Sequence, residues 1–141
     1  WIIEMGGRTG ATCIPELIST YYGFDFYEQM SKSALGEETD FQQTESCPCM
    51  AKLLLSPVSG TITQIDRDQV ECLRQEGLEL VLDYPEGHEV SAMADGTDRI
   101  GHVIVKTNRE AELDEQMKRV YRCIWVDGKN LETIWEEKTA K

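Results

Sequence analysis

Short runs of alternating or helically spaced apolar residues fill most of the chain, and glycine and proline cut them apart. Residues 1–5 read as a strand that Gly6, Gly7 and Gly10 then break. Pro15 suits a first helical position and Gly23 the residue after a helix end, so a short helix is predicted over 15–22. Asp25 and Glu28 stand at capping-box spacing, with Asp25 as the cap. Tyr27, Met30 and Ala34 share one face of the helix that follows, and Gly36 ends it. Residues 37–46 are polar and read as an exposed loop or linker.

A second unit follows. Residues 50–55 and 61–65 read as strands around a turn at Pro57 and Gly60. Asp66 caps a predicted helix to Gln75, with Gln69 at its third position, and Gly77 stops it. Strands are expected at 78–82 and 89–93, separated by a Pro85-Glu86-Gly87 turn, and Asp95-Gly96 turns the chain again. Over 99–106, Ile100, His102, Ile104 and Lys106 fall on one face of a strand, and Val103 and Val105 on the other. Thr107 and Glu110 form a further capping box, after which Leu113, Met117, Val120 and Ile124 line one face of a long helix. Asp127-Gly128 makes a turn, and Leu131, Ile134 and Trp135 mark a last short helix. Strands and helices without strict alternation give an α+β class. The expected organisation is a front part over 1–45 and a small domain over 46–141, with a mostly antiparallel sheet and helices packed on it.

The chain has 141 residues, the size of one domain, and 40% are hydrophobic, enough for a core. It opens on Trp1-Ile2-Ile3, which reads as the middle of a buried strand, so a longer parent polypeptide is expected. An unpaired edge there is expected to drive homo-oligomer formation by this piece alone. The net charge of −12 argues against nucleic acid and anionic membranes as partners. No apolar run approaches the roughly 20 residues that span a bilayer. Five cysteines, odd in number and widely spaced, read as free thiols of a cytoplasmic protein.

The chemistry lies in Glu4-Met5-Gly6-Gly7-Arg8-Thr9-Gly10-Ala11. A strand delivers a carboxylate, and a glycine bend presents a guanidinium four residues later. Glu4 can hold a hard cation such as magnesium. Arg8 can grip a phosphate or carboxylate with its planar fork. The glycines let backbone N–H groups approach an anion closely. Such a set suits stabilisation of phosphoryl-transfer charge.

The run Ile3-Glu4-Met5-Gly6-Gly7-Arg8-Thr9-Gly10, followed by Ile14-Pro15-Glu16-Leu17 and Gly23, resembles the closing motif of the ATP-grasp superfamily. The resemblance continues at Ala34-Leu35-Gly36-Glu37, Ser59-Gly60-Thr61-Ile62 and Asp98-Arg99-Ile100-Gly101-His102-Val103-Ile104, and in the helix after Glu110. The branch it is most similar to is the L-amino-acid ligase type, which joins a carboxylate to an amine through an acyl phosphate. The resemblance implies ATP and Mg as cofactors of the full-length parent, with Glu4 on the metal, Arg8 catalytic, and Arg8 with Gly10 on the phosphates. It implies Ala11 and Thr12 near the acceptor substrate. The implied partners are the N-terminal lobes of the same polypeptide and carboxylate and amine small molecules. Without those lobes, the piece alone is expected to be inactive. Gly6 stands where many ATP-grasp enzymes carry a metal-binding Asn, so one usual magnesium contact is absent. That departure supports a rival reading, a non-catalytic interaction or regulatory domain derived from an ATP-grasp, biotin-carboxylase or carbamoyl-phosphate-synthetase relative.

Outside this segment the residues read structurally. Cys47-Pro48-Cys49 lacks the further ligands a zinc site needs, since the only histidines are His88 and His102. His102 reads as a satisfied sheet histidine. Tyr21 and Tyr22 read as helix packing, and Trp125 and Trp135 as core or interface anchors.

Overall fold

Pro15 lies in the first turn of α1 (Ile14–Tyr22), where a missing N–H costs no hydrogen bond. This computed structural model describes residues 12–44 and 46–140. Gly23 closes α1, its N–H donating to the Ser19 carbonyl at 2.9 Å. The hydroxyl of Ser19 accepts the Phe26 N–H at 3.0 Å, which sets the bend into α2 (Phe26–Leu35). Asp25 Oδ1 caps α2 by accepting the Glu28 N–H at 3.0 Å. Gly36 ends it at φ 73°, a left-handed conformation that costs a residue with a Cβ.

The polar stretch after Gly36 is largely exposed, as expected, and is also tied back to the two helices. The Asp40 N–H donates to Gln29 Oε1 at 2.7 Å. Thr44 donates its N–H to Tyr22 O at 3.0 Å and its hydroxyl to Gly23 O at 2.6 Å.

The rest of the chain runs through β1 (Cys49–Leu55), β2 (Gly60–Ile65), α3 (Arg67–Gln75), β3 (Glu79–Leu82), β4 (Glu89–Val90) and β5 (Arg99–Lys106). It ends with α4 (Leu113–Arg122), β6 (Ile124–Val126), β7 (Lys129–Asn130) and α5 (Leu131–Thr139). Asp66 Oδ1 caps α3 through the Gln69 N–H at 3.0 Å, as its spacing predicts. Three expectations change. The strand expected over 89–93 is only the two residues of β4. Thr107 caps no helix: its hydroxyl donates to Arg109 O at 2.6 Å, and a 3-10 turn at Glu110–Glu112 precedes α4. Ile124 leaves the helix and opens β6, because α4 stops at Arg122. β6 and β7 form a hairpin whose turn residues, Asp127 and Gly128, both have positive φ, the geometry of a tight two-residue loop.

The α+β class holds, with two small antiparallel sheets. One is ordered β1-β5-β3 and the other β4-β2-β6-β7. In the first, β5 is central, with Leu53 and Val81 on either side of His102. Alternation then separates two faces, as the spacing within 99–106 predicts. Leu54, Leu80, Val103 and Val105 point into the main core with Val120, Leu131 and Ile134. On that face Lys52 Nζ lies 5.5 Å from the Tyr121 ring of α4. Trp135 of α5 packs on the core and donates its indole N–H to Leu55 O at 3.2 Å, an anchor as expected. The opposite face carries Cys49, Ala51, Glu79, His102 and Ile104, and α1 packs against β1 and β5.

Candidate functional site

Thr12 is the one residue of the predicted site inside the described segments; Glu4, Arg8, Gly10 and Ala11 lie outside them, as do Trp1, Ile2 and Ile3. Thr12 and Cys13 take left-handed conformations, φ 68° and 61°, immediately before α1. A residue with a Cβ meets steric resistance there of roughly 1–2 kcal/mol, so two in succession mark a backbone held by its surroundings.

An open cleft of about 880 Å³ receives Thr12. Its other walls are Asp83 and Tyr84, just after β3, and Asp95, Gly96, Thr97 and Arg99 at the turn into β5. Because β3 and β5 pair antiparallel, Leu82 opposite Gly101, the end of one strand and the start of the other meet at this edge. Arg99 Nε donates to Asp83 Oδ2 at 2.7 Å, closing that edge with an ion pair. The turn is rigid for local reasons. Asp95 Oδ1 accepts the Thr97 N–H and hydroxyl, each at 2.7 Å, which holds the carboxyl below its usual range. Asp98 Oδ2 accepts the Ala94 N–H at 2.8 Å and the Asp95 N–H at 3.3 Å.

A smaller cavity of about 120 Å³ adjoins the cleft and shares Tyr84, Thr97 and Arg99 with it. One wall is the Tyr84 ring stacked on His88, with centroids 3.7 Å apart and planes 3° from parallel.

A third hollow, about 470 Å³, lies between α1, α2 and β3, lined in part by Glu16, Tyr27 and Glu79. The Tyr27 hydroxyl donates to Glu16 Oε1 at 2.5 Å, and this bond to a carboxylate pushes the phenol pKa up. Glu16 Oε2 is buried with no hydrogen-bond partner among the described residues. Burial first, then the charge of Glu16 and Glu79, pushes the Cys13 thiol up.

His102 departs from expectation: its Nδ1 is buried and has no partner among the described residues, because sheet neighbours Leu53 and Val81 offer none from their side chains. Cys47 and Cys49 direct their thiols at the α1 carbonyls of Thr20 and Leu17, at 3.4 and 3.9 Å. Among the described residues no three His, Cys, Asp or Glu side chains stand close enough together to hold a metal ion. None of the described helices is long and apolar enough to cross a membrane.

Sequence reasoning missed Asp83, Tyr84 and His88 as parts of one site. The available signal was Arg99, within the Asp98–Ile104 run, but its partner Asp83 lies 16 residues away, just past the end of another strand.

Solved structures share this architecture. Phosphoribosylglycinamide synthetase from Anaerococcus prevotii superposes with a TM-score of 0.73 and 23% identity, over 92% of this chain and 34% of that one. L-amino acid ligase from Bacillus licheniformis gives 0.66 and 15%, over 92% and 33%. N5-carboxyaminoimidazole ribonucleotide synthetase from Thermotoga maritima gives 0.50 and 18%, over 82% and 30%. These are ATP-grasp ligases, and at such identities the likeness establishes the fold. The family model for L-amino acid ligase C-terminal domain 2 matches residues 52–127, more than half of the chain, and the chain belongs to that family. It spans about a third of the length of the first two solved chains. The search of curated proteins returned no match.

Proposed function

We propose that the parent protein is an ATP-dependent carboxylate–amine ligase, which converts a carboxylate to an acyl phosphate and passes the acyl group to an amine. The observation that carries this reading is Thr12 lining one cleft with Asp83 and Arg99, in a chain whose 52–127 segment belongs to a ligase domain family. Thr12 and Ala11 would face the acceptor. Arg8 and Gly10 would contact the transferred phosphate, and Glu4 would bind magnesium. In the same reading, the metal's other ligands would come from preceding lobes of the same polypeptide. ATP as co-substrate goes with a cytoplasmic location. The division into 1–45 and 46–141 belongs to the same reading, with the small domain supporting or closing over the lobe that carries Arg8.

The test is phosphate release by the full-length protein with magnesium–ATP and a panel of carboxylate and amine pairs. Release that requires both members of a pair is expected, with none from residues 1–141 alone. No pair-dependent release by the full-length protein would overturn the ligase reading. It would favour the interaction-domain alternative, which the missing side chain at Gly6 and the exposed rings of Tyr21, Tyr22 and Phe41 support.

A further inference from the structure

We infer that Arg99 is the oxyanion-binding residue of the cleft that Thr12 enters. This rests on the reading of that cleft as a substrate site, and it adds a binding group from the small domain itself.

Position is the first argument. Arg99 lines both the large cleft and the smaller cavity walled by the Tyr84–His88 stack, so its side chain stands where the two join. It is the only cation among the described residues lining the large cleft.

Geometry is the second. Asp83 takes the Nε–H at 2.7 Å, and its own side chain is only 25% exposed. The two Nη groups have no hydrogen-bond partner among the described residues, and the Arg99 side chain remains 43% exposed. A guanidinium fixed through Nε keeps its Nη edge for a second ligand. That edge carries parallel N–H donors that match a carboxylate or phosphate.

Competition is the third. The acids nearest in sequence are already used within the turn: Asp95 accepts from Thr97, and Asp98 accepts from Ala94 and Asp95. They hold the turn rather than the guanidinium. Their charge also disfavours loose anion binding at this edge, so an anion would enter only where the fork gives it directed bonds.

Carboxylate and phosphate share this chemistry, and two titrations of the 141-residue chain separate them. Sodium acetate and inorganic phosphate are added at constant ionic strength while amide shifts are followed by ¹⁵N NMR. Saturable shifts centred on Gly96, Thr97 and Arg99 are expected with at least one anion. Saturation by acetate alone assigns a carboxylate, by phosphate alone a phosphate, and by both an unselective oxyanion site. Arg99→Gln should weaken binding by about tenfold or more, and Arg99→Lys, which keeps the charge without the fork, should fall between. Unshifted amides in β1 and α4 show that each variant is folded. Non-saturating shifts with both anions, or equal binding by folded Arg99→Gln, would overturn the inference. Because turnover is not read, failure here leaves the ligase reading standing. Failure of the ligase assay likewise leaves Arg99-dependent binding standing.

Discussion

Arg119 on α4 grips Glu76 at the end of α3 with two nitrogens, Nη1 on Oε2 at 2.6 Å and Nη2 on Oε1 at 2.7 Å. The residues are 43 positions apart, so the pair ties together two helices that approach only in the folded chain. Chiefly through these bonds, with the Cys72 thiol adding to them, Glu76 is held well below its ordinary 4.5, at about 2.

A pH dependence follows from that shift. A carboxyl depressed on folding contributes stability above its unfolded pKa and loses it as pH falls through the folded one. The contribution of Glu76 is therefore full above pH 4.5 and fades toward about pH 2. Glu76→Gln should be less stable than the parent at pH 7. The gap should close across that acid window, while the Arg122–Glu132 pair is present in both proteins and cancels. Thermal melts of both proteins from pH 7 to 2 read the difference directly. A gap independent of pH would show that the ion pair is not its source.

Gly101 should be intolerant of any side chain. A Cβ there would lie 2.1 Å from the Val81 carbonyl oxygen and 3.0 Å from Leu82 Cα. Both are backbone atoms of the paired strand β3, so relief requires β3 and β5 to separate. Overpacking a core costs about 1–3 kcal/mol where side chains can yield. Gly101→Ala should reach or exceed the upper end, seen as a large drop in urea midpoint or failure to fold.

Leu54 and Leu35 offer a matched comparison. Leu54 is fully buried in the core, whereas Leu35 at the end of α2 is 74% exposed. Leu54→Ala should cost about 2–5 kcal/mol through lost burial and the cavity left behind. Leu35→Ala should stay within about 0.5 kcal/mol. Urea denaturation with equal m-values decides this, and similar losses at the two sites would contradict the core assignment.

Arg8 is the sharpest test of the proposed chemistry. In the full-length protein, Arg8→Lys would keep the charge and lose the two-pronged contact proposed for Arg8. It should lower kcat on the order of 10²–10³, the usual loss when one donor to transition-state charge is removed, with ATP binding retained. Glu4→Gln should also raise the magnesium requirement. Steady-state kinetics on folded variants measures both, and near-normal turnover by Arg8→Lys would take Arg8 out of the mechanism.

By itself the sequence determined the features whose cause is local. Pro15, the Asp25 and Asp66 caps and the Gly36 stop bound helices close to where their spacing predicts, because a cap bonds a backbone group only a few residues away. The two faces of β5 were legible for the same reason, since alternation is a property of the strand alone. The motif around Glu4 and Arg8 carried the family resemblance without any geometry. Only the tertiary structure decided the pairings. Ile124 continues the apolar spacing of α4, yet it joins a strand because β2 supplies partners for residues 124–126, with Ile65 opposite Ile124. Thr107 has the spacing of a cap but turns its hydroxyl to Arg109, since a 3-10 turn intervenes. Asp83 and Arg99 meet because β3 pairs with β5 in one register, and Thr12 lines the same cleft because α1 lies on that sheet. Such contacts join segments distant along the chain, and no periodicity within either segment encodes the other.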